Sequence, residues 1–155
     1  MIKIIPDFIS IEAIDKLISS IDMSTAKDYP HQQFVKSVNG IVYPPVHHRA
    51  KQFGNISNIE FLSYRVGSKM YPHIDKYRYY EGNKEWCQTG ILFMSDPSTY
   101  KGGELVFDNL GISLKCPIGT YIMFPAGPDT KKYTHSINEV TEGTRISLVL
   151  RYTKE

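Results

Sequence analysis

The sequence predicts a mainly β domain behind one N-terminal helix, closed as a jelly roll or a barrel. Three observations carry this. From residue 60 onward, about eight short runs of strand-forming residues are separated by turn signals. Ahead of them stands a single stripe of apolar residues at helical period. The chain is also rich in aromatics, with 11 Tyr, 7 Phe and 1 Trp in 155 residues, which suits pleated, half-buried surfaces.

The length fits one domain spanning 1–155, large enough to bury a real core. Apolar residues at 41% and charged residues at 22% argue against disorder. No apolar run approaches the ~20 residues of a membrane-spanning helix. The opening Met1-Ile2-Lys3-Ile4-Ile5-Pro6-Asp7 lacks the long apolar region and small-residue cleavage site of a signal peptide, so a cytoplasmic protein is expected. Cys87 and Cys116 are too few for a disulfide scaffold and read as reduced, buried thiols. A formal net charge of +2 neither demands nor excludes nucleic acid.

The helix is expected over 10–21. Ile11, Ile14, Leu17, Ile18 and Ile21 form its apolar stripe, Ser10 is its N-cap, and Glu12 and Asp15 load the positive end of its dipole. Residues 26–56 follow, punctuated by Tyr29-Pro30, Asn39-Gly40, Tyr43-Pro44-Pro45 and Phe53-Gly54-Asn55. Lys27, Lys36, Arg49 and Lys51 against Asp28 give this segment a charge of +3. It reads either as a substrate-facing flap or as a structural excursion. His47-His48 is tempting as a metal pair, but adjacent residues on a strand point to opposite faces. The core is expected over 60–152, with strands at 60–66, 70–75, 88–95, 104–107, 111–115, 120–124, 132–137 and 144–152. Gly102-Gly103, Asn109-Leu110-Gly111, Pro117-Ile118-Gly119 and Glu142-Gly143 mark turns between them.

The chemistry concentrates in a few residues. In a strand, residues i and i+2 share a face, so His73 and Asp75 of Tyr71-Pro72-His73-Ile74-Asp75 can converge on one metal ion. His135, 62 residues later, supplies a third donor. Two imidazoles and one carboxylate form the facial triad of non-heme Fe(II) oxygenases, which leaves coordination positions open. Structural zinc sites prefer four ligands, and the two cysteines have no metal-binding spacing. The last strand alternates strictly. Ile146, Leu148 and Leu150 form one face, and Arg145, Ser147, Val149 and Arg151 form the other. An inward arginine needs an anion, because an unpaired buried charge is costly. Arg145 offers a bidentate fork for a carboxylate, and Ser147 adds a hydroxyl on the same face.

These residues resemble the 2-oxoglutarate- and Fe(II)-dependent dioxygenases, in particular the prolyl 4-hydroxylase-like branch. The likeness runs through nearly the whole chain. Ile5-Pro6-Asp7-Phe8-Ile9-Ser10 is similar to the family's lead-in to its first helix. Tyr64-Arg65-Val66-Gly67 through His73-Ile74-Asp75 is similar to its Tyr-x-x-Gly and Pro-His-x-Asp stretch. Gly102-Gly103-Glu104-Leu105-Val106-Phe107 resembles its Gly-Gly-Glu turn and strand. Gly119-Thr120-Tyr121-Ile122-Met123-Phe124-Pro125 resembles the strand before the distal histidine, and His135 followed ten residues later by Arg145 matches the distal ligand and the cosubstrate anchor. Two positions depart from relatives. Animal collagen hydroxylases anchor the carboxylate with lysine, and some members have tyrosine where this chain has Met70.

The resemblance implies a double-stranded β-helix core, Fe(II) on His73, Asp75 and His135, and 2-oxoglutarate on Arg145 with Tyr64 and Ser147. It implies hydroxylation of a side chain, foremost a prolyl residue of a peptide or protein, using O2, releasing succinate and CO2, and assayed with ascorbate. Tyr43, Arg78, Tyr79, Tyr80 and Trp86 are the candidate substrate contacts. A nucleic-acid demethylase of the same fold is the alternative. Those enzymes resemble Arg-x-Asn-x-Thr-x-Arg in the last strand, where this chain keeps both arginines but has Ser147 and Val149 between them. A non-catalytic jelly-roll binding module is a further alternative, although the triad and the anchor are complete. A halogenase is disfavoured, because Asp75 occupies the position that must be small to admit halide.

Overall fold

The computed structural model describes residues 1–76 and 85–154. In chain order, β1 (Lys3–Ile5) precedes α1 (Ile11–Ser20), and the strand pair β2 (Lys27–Asp28) and β3 (Gln33–Val38) precedes α2 (Pro44–Ala50). Then come β4 (Asn55–His73), β5 (Trp86–Phe93), β6 (Tyr100–Gly102), β7 (Leu105–Phe107) and β8 (Ile112–Leu114). The chain ends with β9 (Tyr121–Pro125), β10 (His135–Ile137), β11 (Val140–Gly143) and β12 (Arg145–Thr153).

All of these pairings are antiparallel. One face of the roll has the strand order β1-β9-β5-β12-β4, extended by β3 and β2. The opposing face is β4-β10-β7-β8. β4 belongs to both. Its first part pairs with β12 over Asn55–Tyr64, and its last residues pair with β10 at Met70 and His73. Between these stretches Gly67 takes φ +89°, where a residue without a Cβ meets no steric penalty. A 19-residue strand thus crosses from one sheet to the other. The gap at 67–69 between the expected strands 60–66 and 70–75 is therefore a bend inside one strand, not a break between two. The small pair β6–β11 lies outside these faces.

The alternation of β12 divides the core. Leu148 and Leu150 face α1 and α2, where they meet Ile14, Leu17, Val46 and Ala50. Val149 faces the interior of the roll with Leu62, Tyr64, Ile91 and Phe93. α1 starts where Ser10 Oγ accepts a hydrogen bond from Ala13 N at 3.1 Å. Ile14 and Leu17 are fully buried, a burial that contributes about 1.5–3 kcal/mol for each. Ile11 falls on the predicted stripe but is 57% exposed. Cys116 is buried as expected, whereas Cys87 is only half-buried.

Segment 26–56 is largely built into the fold. Val35, Val46 and Ala50 are buried, and β3 extends the larger sheet. Pro44-Pro45 opens α2, since proline in a first helical turn has no N–H to lose and its φ is already set. His47 and His48 therefore lie on a helix, not a strand.

The Gly102-Gly103 turn is dictated by crowding. Gly102 has φ +75°, and a Cβ there would stand 1.9 Å from the Glu139 carbonyl oxygen. Gly102→Ala is expected to cost at least about 1–3 kcal/mol from backbone strain and displaced chain. A melting temperature equal to that of the wild type would show that the turn relaxes freely.

Candidate active site and metal centre

Three side chains from two strands and a loop meet between the faces of the roll. His73 ends β4 and His135 begins β10, directly opposite one another. Two residue steps on β10, from His135 to Ile137, face three on β4, from Met70 to His73. This bulge re-aims the end of β4, so that both Met70 and His73 reach the pocket. The strand stops at His73, so Asp75 is not placed by simple alternation. It lies just beyond, where Gly127 N donates to its carbonyl at 2.8 Å.

One nitrogen or oxygen from each of His73, Asp75 and His135 lies within 4.8 Å of the others. Asp75 Oδ1 is 3.3 Å from His73 Nε2 and 3.6 Å from His135 Nε2. Each imidazole is oriented by a main-chain carbonyl two residues upstream. His73 Nδ1 is 2.7 Å from the Tyr71 carbonyl, and His135 Nδ1 is 2.9 Å from the Tyr133 carbonyl. A carbonyl only accepts, so Nδ1 donates and Nε2 is the nitrogen turned toward the centre. Phe124 packs edge-on to His135 at 4.8 Å between ring centroids.

The electrostatics suit a cation. Burial alone would raise the Asp75 pKa, but Arg151, His135 and His73 outweigh it and hold the carboxyl well below the usual carboxylate range. Burial also lowers the His135 pKa, although the charge of Asp75 opposes it. Burial pulls His73 the same way, but the hydrogen bond and charge of Asp75 prevail and its pKa is raised. Two neutral-capable imidazoles and an anionic carboxylate are the donor set that fits a ferrous ion with open positions.

The anion end of the same pocket is built on β12 and β4. Arg145 is 1% exposed, and its Nε and Nη2 have no hydrogen-bond partner among the described residues. Nη1 donates to Ser147 Oγ at 3.4 Å. The guanidinium lies 4.8 Å from the ring centre of Tyr64, its partner across the strands. Gly103 makes room for it, as a Cβ there would stand 3.0 Å from Arg145 Cδ. The Tyr64 phenol is fully buried with its pKa pushed up by burial, so it stays protonated, and among the described residues it donates to nothing stronger than Met70 Sδ at 3.9 Å. Unpaired guanidinium donors beside a protonated phenol and a hydroxyl fit the far carboxylate of 2-oxoglutarate.

The expected substrate contacts scatter. Tyr43 precedes α2, donates to the Ala13 carbonyl at 3.1 Å and packs on the helical side of the larger sheet. It does not line the pocket. Trp86 begins β5, with the Arg151 guanidinium 4.7 Å from its ring centre. Arg78, Tyr79 and Tyr80 lie outside the described residues. Two pocket contributors, Tyr29 and Thr89, do not stand out in the sequence, whereas Arg151 is expected there on the inward face of β12, packing on a carboxylate or reaching the cosubstrate pocket. Tyr29 and Arg151 line the pocket, and Thr89 donates to Asp75 Oδ2 at 2.6 Å. Arg151 was legible as inward-facing from the alternation of β12. Thr89 and Tyr29 carry no local signal, because only strand register and the path of segment 26–56 bring them there.

Comparison with known proteins agrees with this geometry. A viral collagen prolyl hydroxylase from Paramecium bursaria Chlorella virus-1, solved with 2-oxoglutarate, superposes with a TM-score of 0.80 at 18% identity, covering 97% of this chain and 94% of that one. A Pseudomonas putida prolyl-4-hydroxylase gives 0.73 at 13% identity over 99% and 92%. In sequence, a PKHD-type hydroxylase of Prochlorococcus marinus is 32% identical over 61% of this chain and 40% of its own length. One from Pseudomonas putida is 28% identical over 85% and 68%. The chain thus spans well under half of the first relative and about two thirds of the second. Among the described residues no helix is long and apolar enough to cross a membrane. Residues 59–152, which include the triad, Tyr64 and Arg145, match the family described as the 2OG-Fe(II) oxygenase superfamily, and the chain belongs to that superfamily.

Proposed function

We propose that the chain is an Fe(II)- and 2-oxoglutarate-dependent dioxygenase that hydroxylates a substrate side chain, with a prolyl residue of a peptide or protein as the leading target. One observation carries the reading. A two-histidine, one-carboxylate cluster and a buried arginine with unpaired donors share one pocket. His73, Asp75 and His135 would hold the iron through Nε2, Oδ1 and Nε2. Arg145 would grip the far carboxylate of 2-oxoglutarate, with the Tyr64 and Ser147 hydroxyls as further donors. Leu62, Ile91, Ile137 and Val149 give the space an apolar lining. When bound, the metal and cosubstrate supply the oxidative chemistry, consuming O2 and yielding succinate, CO2 and a hydroxylated product.

The prolyl reading is supported by the relatives named as PKHD-type hydroxylases and by the collagen prolyl hydroxylase and prolyl-4-hydroxylase that share the fold. Trp86 and Tyr29 are the aromatics by which an extended, proline-containing peptide would be held, since its low-entropy conformation suits aromatic grooves. The free thiols of Cys87 and Cys116 fit a reducing, cytoplasmic setting.

The basic segment 26–56 keeps a nucleic-acid substrate in the test. Part of its charge is already engaged. Lys36 pairs with Asp28 at 2.6 Å, and the Arg49 guanidinium lies 5.4 Å from the ring centre of Phe8. The experiment is a succinate-release screen with Fe(II), 2-oxoglutarate and ascorbate, run against proline-rich peptides, free amino acids and methylated oligonucleotides. Proline peptides are expected to stimulate succinate release, with little dependence on salt. Release by oligonucleotides with a log–log salt slope of about −0.7 per contacted phosphate, while peptides stay inert, would replace the peptide reading.

A further inference from the structure

The two oxygens of Asp75 have different surroundings. Oδ1 faces both imidazoles. Oδ2 accepts from Thr89 Oγ1 at 2.6 Å and lies 3.3 Å from Arg151 Nη1. Thr89 and Arg151 stand opposite each other on β5 and β12, and Arg151 Nη1 also reaches Thr89 Oγ1 at 3.5 Å. The Arg151 guanidinium is held further by the Trp86 ring at 4.7 Å, and the Tyr29 side chain lines the same pocket. Arg151 is 6% exposed and Thr89 1%.

The two arginines of β12 therefore differ in kind. Arg145 has buried donors with no partner among the described residues, which suits it to an anion. Arg151 already has its anion in Asp75. A second carboxylate-binding role for Arg151 would require breaking that pair, and leaving Asp75 without it in a buried site is costly.

We propose that Arg151 and Thr89 are positioning residues that fix Asp75 as a one-oxygen metal ligand. Their donors occupy Oδ2, so Oδ1 alone is left for the cation. A carboxylate free to rotate could bind through both oxygens and occupy a position that the cosubstrate or O2 needs. The inference rests on the reading of the triad as a metal centre.

The test is an anaerobic titration of the whole chain with Co(II), followed by calorimetry and visible absorption. Replacing Arg151 by a neutral residue would remove a cation near a cation and mix two opposite effects, so the variants preserve charge. Thr89→Val keeps the shape and loses the donor. It is expected to weaken Co(II) binding roughly 10- to 100-fold, as losses of outer partners of metal ligands do, and to alter the visible bands. Thr89→Ser keeps the hydroxyl and is expected to stay within roughly threefold of the wild type. Arg151→Lys keeps the charge but loses the planar fork, and is expected to fall between them.

Wild-type affinity and spectrum in both Thr89→Val and Arg151→Lys would overturn the proposal. So would a loss in Thr89→Ser as large as that in Thr89→Val. If Thr89→Val does not fold, Arg151→Lys must alone show the spectral change for the proposal to stand. A wild-type chain that binds no Co(II), or a His135→Ala variant that binds it equally well, would bring down the metal-centre reading and this inference with it.

Discussion

Replacing Arg145 with alanine should raise the Michaelis constant for 2-oxoglutarate roughly 10- to 150-fold. The lost contact is a charge-assisted fork in a buried site, a contribution of about 1.5–3 kcal/mol, and each ~1.4 kcal/mol is a factor of ten. Arg145→Lys should be milder, because charge remains and the fork does not. Stability offers an independent readout. Nε and Nη2 of Arg145 are buried without partners among the described residues, an arrangement that an anion would relieve. 2-Oxoglutarate should therefore raise the melting temperature of the wild type clearly, and that of Arg145→Ala hardly at all. An unchanged cosubstrate affinity in Arg145→Ala would remove the arginine from the site.

Loss of a triad histidine should be more severe still. His135→Ala takes away one of three donors, and iron-dependent turnover should vanish. The loss of metal affinity should exceed the roughly 10- to 100-fold that removal of an outer partner costs. His135 is buried against Phe124 and Phe107, so its truncation also leaves a cavity. His73 has a side chain that is 24% exposed, which makes His73→Ala the cleaner variant. Both should retain the far-ultraviolet circular dichroism of the wild type. Full iron affinity and turnover in either would mean that the cluster is not the metal centre.

The fold class was legible because its signals are local. Alternation in β12 separates the apolar face from the arginine face, and the structure sends Leu148 and Leu150 toward the helices and Arg145 and Val149 into the roll. β1, β6 and β11 are not legible in the sequence, since no periodicity develops over so short a run, whereas the equally short β7, β8 and β10 fall within the expected strands 104–107, 111–115 and 132–137. β4 was read as two strands because Gly67 looks the same in sequence whether it ends a strand or bends one. α2 was missed because proline reads as a breaker unless its place in the first turn is known.

The site divides along the same line. His73, Asp75, His135 and Arg145 stand in short motifs with fixed spacing, so sequence could name them together. Thr89 and Tyr29 are ordinary residues in ordinary contexts. What makes them relevant is register across β5 and β12 and the return of segment 26–56 to the pocket. Tyr43 misled for the converse reason. An aromatic beside two prolines resembles a recognition loop, but its hydroxyl is committed to the Ala13 carbonyl, and it holds α1 to the start of α2.

Both imidazoles take their orientation from a peptide carbonyl two residues upstream. No single substitution can delete a main-chain oxygen, so this half of the centre is robust to mutation as long as the strands persist. The carboxylate has no such insurance, because its second oxygen depends on the side chains of Thr89 and Arg151. Mutational drift and deliberate redesign should therefore alter this centre first through β5 and the far end of β12. A library confined to Thr89, Arg151 and Trp86 would vary the environment of the metal while leaving the histidine frame untouched.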